Sequence, residues 1–407
     1  MRKIHSLAII LYLLAAVSNH HVGAFEFIYR YNEGDKYRIL STVESNIYVN
    51  RRLGYRSEFL NRISFEITGV REDRASFSAT YQSAERTYPI GGAASPLPSS
   101  VFTWARDYDS VFEQNRLGYI DIAGDYFMPM VRNVPVFPGR ELEPGDTWSS
   151  DGTVVHDFRD NFGIEEPYRI PFTANYRYLG ERVWKGNTYP AFSISYRIFY
   201  EPDPVRGSVY PRRIQGTHDQ IVYWDPLLGQ PTAYEENFRT ILDLSDGQSL
   251  EYRGRAEAEL VEAPPMDRDE IAREIAEDIE SIPGASVRVS DEGIVISLEN
   301  IQFYPDSAIM LPGESQKLDL IAEILLRYPE RDILVGGHTA LAGTADGRLR
   351  LSLERAEAVA AHLLRQGVRR PEQVVIRGYG AEQPVADNRT EEGMQRNRRV
   401  EITILEN

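Results

Sequence analysis

The chain has 407 residues, 42% of them hydrophobic and 26% charged, and a formal net charge of −16. One core rarely needs that length, so two or three globular domains are expected. The acidic balance argues against a nucleic-acid binder and against electrostatic docking on anionic lipid, since both need a basic face. With no cysteine, disulfides, thiolate metal sites, cysteine nucleophiles and a lipidated N-terminal cysteine are all excluded.

Residues 1–24 read as a cleavable signal peptide. Arg2 and Lys3 give a positive start, Leu7 to Val17 a short apolar run, and Val22-Gly23-Ala24 a small-residue cleavage site before Phe25. The apolar run falls well short of the ~20 residues that span a bilayer.

Residues 25–262 read as a β-rich region, a sandwich or a half-barrel. Phe25, Phe27, Tyr29 and Tyr31 alternate with Glu26, Ile28 and Arg30; Ile63, Phe65 and Ile67 alternate with polar neighbours; Phe192, Ile194, Tyr196, Ile198 and Tyr200 alternate mostly with smaller or polar residues. Period-2 patterning rich in aromatic and β-branched residues signals strands. Gly34-Asp35, Lys185-Gly186-Asn187, Asp225-Pro226 with Gly229, and Ser245-Asp246-Gly247 read as turns. No segment here has a helical period. Tyr88 to Ser100 is expected to be a loop. The proline-rich stretch 130–148 is expected to be a long connection, and the boundary if the region holds two subdomains. All four tryptophans, Trp104, Trp148, Trp184 and Trp224, lie here. They fill sheet cores, or line an apolar groove for a lipid or lipoprotein segment.

Ala263-Pro264-Pro265 reads as a linker. A helix follows with Asp267 as N-cap, Glu270 three residues on, and Ile271, Ile275 and Ile279 as one apolar stripe. Then come a hairpin from Ser286 to Leu298, a helix from Glu314 to Arg327, a strand from Asp332 to Gly336, a helix from Arg348 to Gln366 closed by Gly367, and strands from Val374 to Arg377 and Arg399 to Leu405. Helices interleaved with a mixed sheet make residues 263–407 an α/β unit and the whole chain α+β.

Five motifs run in order through this unit: Gly337-His338-Thr339-Ala340, Leu351-Ser352-Leu353-Glu354-Arg355-Ala356, Gly378-Tyr379-Gly380, Asn388-Arg389-Thr390-Glu391-Glu392-Gly393 and Asn397-Arg398-Arg399-Val400. Together they resemble the OmpA-like C-terminal domain, which binds peptidoglycan in the periplasm of Gram-negative bacteria. The resemblance implies a periplasmic protein, outer-membrane association left open, that contacts the peptidoglycan stem peptide. It also implies the site. A diamino acid with an ammonium and a carboxylate is read by an acid and an arginine, whose planar fork donates two parallel hydrogen bonds.

Arg355 matches the family arginine, and no acid lies three or four residues away to pair with it. Ala340 stands where the family has aspartate, and Arg348 where it has asparagine. Losing one charge-assisted hydrogen bond costs roughly 1.5–3 kcal/mol, so binding is weakened, lost or retuned unless Asp346, in the same loop, supplies the carboxylate. Thr339 and Ser352 offer hydroxyls. Asp306 is either a pocket-edge contact or a turn residue. Arg398 is assigned to the pocket, Arg399 to an ion pair, and His338 to a satisfied structural place. No catalytic constellation, phosphate loop or metal-ligand spacing is found, His156 and His218 included. No cofactor or metal is expected, and a wall hydrolase built on converging carboxylates is the least favoured reading. The two stronger ones are a wall-binding protein that engages an envelope protein or lipid through its N-terminal region, and an OmpA-like scaffold whose wall binding has weakened while the N-terminal region acts.

Overall fold

The computed structural model describes residues 24–89, 102–205, 209–261, 266–290, 292–299, 301, 303–304, 307–311 and 313–405. The targeting segment, most of the 88–100 loop, the Ala263-Pro264-Pro265 linker and Asp306 lie outside the described residues.

The N-terminal strands are β1 (Lys36–Val49), β2 (Arg52–Arg71), β3 (Arg74–Pro89), β4 (Phe102–Asn115), β5 (Ile120–Ile122), β6 (Val131–Arg132) and β7 (Thr147–Phe158). After the one-turn helix α1 (Arg159–Phe162) come β8 (Ile164–Trp184), β9 (Asn187–Tyr200), β10 (Pro211–Asp225), β11 (Gln230–Leu244) and β12 (Ser249–Leu260). They pair antiparallel in the order β6-β7-β8-β9-β10-β11-β12-β1-β2-β3-β4-β5. Alternation explains the strands: in β8, Tyr168, Ile170, Phe172, Ala174, Tyr176 and Tyr178 are buried while Arg169, Thr173, Asn175 and Arg177 face solvent. The run curls. The Tyr108 hydroxyl of β4 donates to Asp157 Oδ2 of β7 at 2.9 Å, although a flat sheet would hold those strands roughly 40 Å apart at ~4.8 Å per step.

The turns at Gly34, Gly186, Gly229 and Gly247 lie where expected. Two expectations fail. The missed helix α1 is one turn long, too short for periodicity to register. And Phe25 to Tyr31 forms no strand beyond a single bridge from Phe25 to Leu142. Its amides bond to separate loops, Tyr29 N to Arg116 O and Arg30 N to Gly229 O. Its alternation serves packing instead: the Phe27 ring lies within 5.7 Å of those of Phe137, Tyr178, Phe192 and Trp224. Trp224 is fully buried, Trp148 stacks on Tyr176, and Trp184 packs on Tyr223. Trp224 and Trp104 are therefore core residues, while Trp148 and Trp184 are partly buried at the edge of their clusters.

The C-terminal elements are α2 (Arg268–Ile279), β13 (Ala285–Val289), β14 (Gly293–Glu299), α3 (Glu314–Leu325), β15 (Ile333–Gly337), α4 (Ala345–Arg365), β16 (Val374–Gly378), α5 (Glu391–Asn397) and β17 (Arg399–Leu405). The mixed sheet runs β13-β14-β17-β15-β16, with β15 and β16 parallel. Asp267 caps α2 as expected, accepting from Glu270 N at 3.0 Å. α4 starts earlier than expected, because Thr344 caps it through Gly347 N. Helix α5 lies outside the elements expected from periodicity; Thr390 caps it through Gly393 N. One face of the sheet and the helices enclose a core drawn only from residues 266–404, including Ile296, Leu325, Ile333, Val359, Ile376 and Ile402.

The other face meets the N-terminal strands. β16 pairs parallel with β4 at Val375–Phe102 and Ile376–Thr103. Leu60, Phe102, Trp104, Leu334, Val375 and Leu405 form a buried cluster there. Arg62 Nη2 meets Asp332 Oδ2 at 2.8 Å, both side chains largely buried.

Candidate functional site

The motif glycines set how α4 sits. A Cβ at Gly337 would fall 1.9 Å from Ser352 O, and one at Gly378 would fall 2.8 Å from Leu349 O and Leu353 N. Glycine at both lets the backbone of α4 touch β15 and β16. Ser352 pins that contact: its Oγ donates to Leu349 O at 2.7 Å and accepts from Gly380 N at 2.9 Å. Ser352 is fully buried and both roles of its hydroxyl are filled. Its assignment as a ligand contact is therefore corrected; it is a positioning residue.

Arg355 lies on α4 one turn beyond this pin, half-buried. Its Nε donates to Ser307 O at 3.3 Å and its guanidinium lies 4.9 Å from the centre of the Phe303 ring. No local pattern announces these partners, because Phe303 and Ser307 are brought against α4 only by the fold. A planar cation over a ring is fixed in orientation at little entropic cost. Asp306 itself lies outside the described residues.

Thr339 donates its amide to Gly380 O at 2.8 Å. Its Oγ1 is buried with no hydrogen-bond partner among the described residues. Ala340 is only 5% exposed, so its methyl group occupies a closed position. The loop after it is tied by two asparagines that motif matching left without a role. Fully buried Asn397 accepts from Val385 N and Ala386 N and donates to Ala386 O and Asn388 Oδ1. Asn388 Oδ1 in turn accepts from Leu341 N at 3.0 Å. The first, fourth and fifth motifs thus converge on the chain just past Ala340. Leu341 and Leu349 are both at least half exposed there.

Three further expectations change. Asp346 lies in the first turn of α4, exposed, rather than in the loop. Arg398 closes α5 and pairs with Glu391 at 3.2 Å, so its guanidinium is engaged at the surface instead of in a pocket. His338 is 1% exposed and stacked on Tyr379 at 4.7 Å, but neither ring nitrogen has a hydrogen-bond partner among the described residues. It is structural but not satisfied. Burial, with the Arg399 charge beside it, pushes its pKa down to about 3. Arg399 does form the expected ion pair, with Glu401 at 2.8 Å. Burial alone would raise Glu401, yet the hydrogen bond from Arg399 holds it below the usual carboxylate range.

Residues 302–398 match the OmpA family model. The chain is 35% identical over 114 residues to the peptidoglycan-associated lipoprotein of Pseudomonas aeruginosa, covering 28% of this chain and 67% of that protein. The chain belongs to the OmpA family. It is also 38% identical over 122 residues to the probable lipoprotein YiaD of Escherichia coli, covering 30% of this chain and 55% of that protein. To the peptidoglycan-binding protein ArfA of Mycobacterium tuberculosis it is 34% identical over 104 residues, 26% of this chain and 32% of that protein. The chain thus spans about half or less of two of these three relatives, and all three matches fall short of a third of this chain. The OmpA part is confined to the C-terminal unit. No described helix is long and apolar enough to cross a membrane.

Proposed function

We propose that this is a non-enzymatic cell-envelope protein, exported to the periplasm, whose OmpA-family unit contacts the peptidoglycan stem peptide through Arg355. The observation that carries the reading is Arg355, on its family motif, with its guanidinium 4.9 Å from the centre of the Phe303 ring and its Nε donating to Ser307 O. A stem-peptide carboxylate is the group its fork suits. The curled N-terminal sheet is read as a half-barrel that engages an envelope protein or lipid, which would link the wall to that partner.

Ala340 favours a second reading. A buried methyl group gives an ammonium nothing to pair with, so wall binding is weak or lapsed and the N-terminal region carries the function. Sedimentation of the full chain with purified sacculi separates the two, with Arg355→Ala and Ala340→Asp alongside. On the first reading the wild type cosediments and Arg355→Ala loses about tenfold, the worth of one charge-assisted bond. Binding by Ala340→Asp alone would select the second. Binding by none of the three would end the first.

A further inference from the structure

On the helix-free face of the C-terminal sheet, opposite α4 and Arg355, a cavity of about 420 Å³ opens beside the β4–β16 contact. Its floor includes Gly336, where a Cβ would come within 2.8 Å of the Tyr379 ring. Only glycine lets that ring lie over the sheet.

Arg377 stands at one side of the cavity. Its guanidinium lies 5.1 Å from the Trp104 ring centre and 4.8 Å from that of Tyr379, and its Nη1 donates to Asp107 Oδ2 at 3.1 Å. Trp104 and Asp107 come from β4 and Tyr379 follows β16, so the arginine is oriented by both regions of the chain before any ligand arrives. A preoriented fork loses little freedom on binding. Arg288 of β13 also lines the cavity, with a half-exposed side chain whose Nη2 meets Glu401 Oε2 at 2.9 Å. Glu401 is also held by Arg399. Asp107 and Glu292 complete the charged lining.

Both signs therefore face one space. A plain anion would meet three carboxylates, and a plain cation two arginines. These charges already pair with one another, Arg377 with Asp107 and Arg288 with Glu401, so a molecule carrying both charges can enter those pairs without leaving either sign uncompensated. The volume falls in the range of small-ligand sites, roughly 300–1,000 Å³.

We propose that this cleft is a second binding site, for a short zwitterionic peptide. The carboxylate would lie on Arg377 and Arg288, and the ammonium against Asp107 and Glu292. Because its residues come from both regions, occupancy would tighten the contact between β4 and β16. The site does not depend on wall binding through Arg355.

The test is calorimetric titration of the full chain with tri-alanine, N-acetyl-tri-alanine and tri-alanine amide, which differ only in which end is charged. The expected result is saturable binding of tri-alanine, with either capped form weaker by about tenfold or more. Arg377→Gln and Arg288→Gln should each lose about tenfold. Glu292→Gln, at an exposed position, should weaken tri-alanine but not N-acetyl-tri-alanine. Absence of saturable binding up to roughly 10 mM would overturn the proposal. So would equal affinity for the capped forms, or unchanged affinity in Glu292→Gln.

Discussion

Gly337→Ala tests how the OmpA motifs hold the site. The added Cβ would sit 1.9 Å from Ser352 O, whereas real Cβ contacts do not fall below 3.0 Å. Helix α4 must therefore retreat from β15 by about 1.1 Å, the difference between those distances. The retreat stretches the Ser352 Oγ bond to Gly380 N, now 2.9 Å, and loosens Ala356, Val359 and Ala360, all fully buried. Overpacking of this kind costs about 1–3 kcal/mol, and a buried amide left short of its acceptor adds about 1 kcal/mol. A loss of about 3 kcal/mol is expected. Gly378→Ala, with three atoms at 2.8 Å, should cost somewhat less. Gly343→Ala has open space but a φ of +75° and should cost about 1 kcal/mol. The measurement is urea unfolding followed by far-ultraviolet circular dichroism, since all four tryptophans lie in residues 104–224 and their fluorescence reports on the other region. If Gly337→Ala unfolds within about 0.5 kcal/mol of wild type, or less readily than Gly343→Ala, close backbone approach is not what seats α4.

Other predictions follow from buried charge. Folding keeps His338 neutral to about pH 3, while the unfolded chain protonates it near 6.5, so its contribution to stability is complete above about 6.5 and declines as the pH falls towards 3. His338→Phe keeps the stack on Tyr379 and should flatten that part of the profile, though not abolish it, because His156 is likewise pushed down, to about 4. Parallel thermal-melting profiles of variant and wild type between about pH 5 and 8, the window in which an ordinary histidine titrates, would refute this. Burial, with the Glu354 charge, pushes Glu357 up to about 7 from 4.5, so its stability contribution is present below about 4.5 and lost as the pH rises through 7. Glu357→Gln should then stabilise by about 1–2 kcal/mol on the alkaline side and by almost nothing near pH 4.5, the opposite order being the refuting one. Arg62→Ala leaves Asp332 largely buried without that partner and should cost about 3 kcal/mol; a double-mutant cycle with Asp332→Ala that finds no coupling would show the ion pair is not holding the two regions together.

Much of this architecture was legible locally. Period-2 runs marked the long strands because each strand buries one face, and Asp267 announced α2 because a cap acts within three residues. The five motifs located the OmpA unit and Arg355. Helix α5 has too few turns in seven residues for an apolar stripe, so its signals are confined to its ends: the Thr390 cap, Glu391 and Glu392 in the first turn and Arg396 in the last. Phe25 to Tyr31 misled because alternation records which side chains are buried, not whether the backbone has a neighbouring strand.

The amino-acid sequence by itself determined the period of each strand, the caps of the helices and the order of the family motifs, because each is written within a few neighbouring residues. Only the tertiary structure decided that Ser352 is a pin, that Arg355 rests on Phe303, that Asn397 and Asn388 hold the chain past Ala340, and that Arg377 is clamped between Trp104 and Tyr379. Those partners are separated in sequence by between 9 and 273 residues, except for Arg377 and Tyr379, which are neighbours but one. Contacts of that range exist only once the chain has closed its loops and buried its core, so no local pattern encodes them.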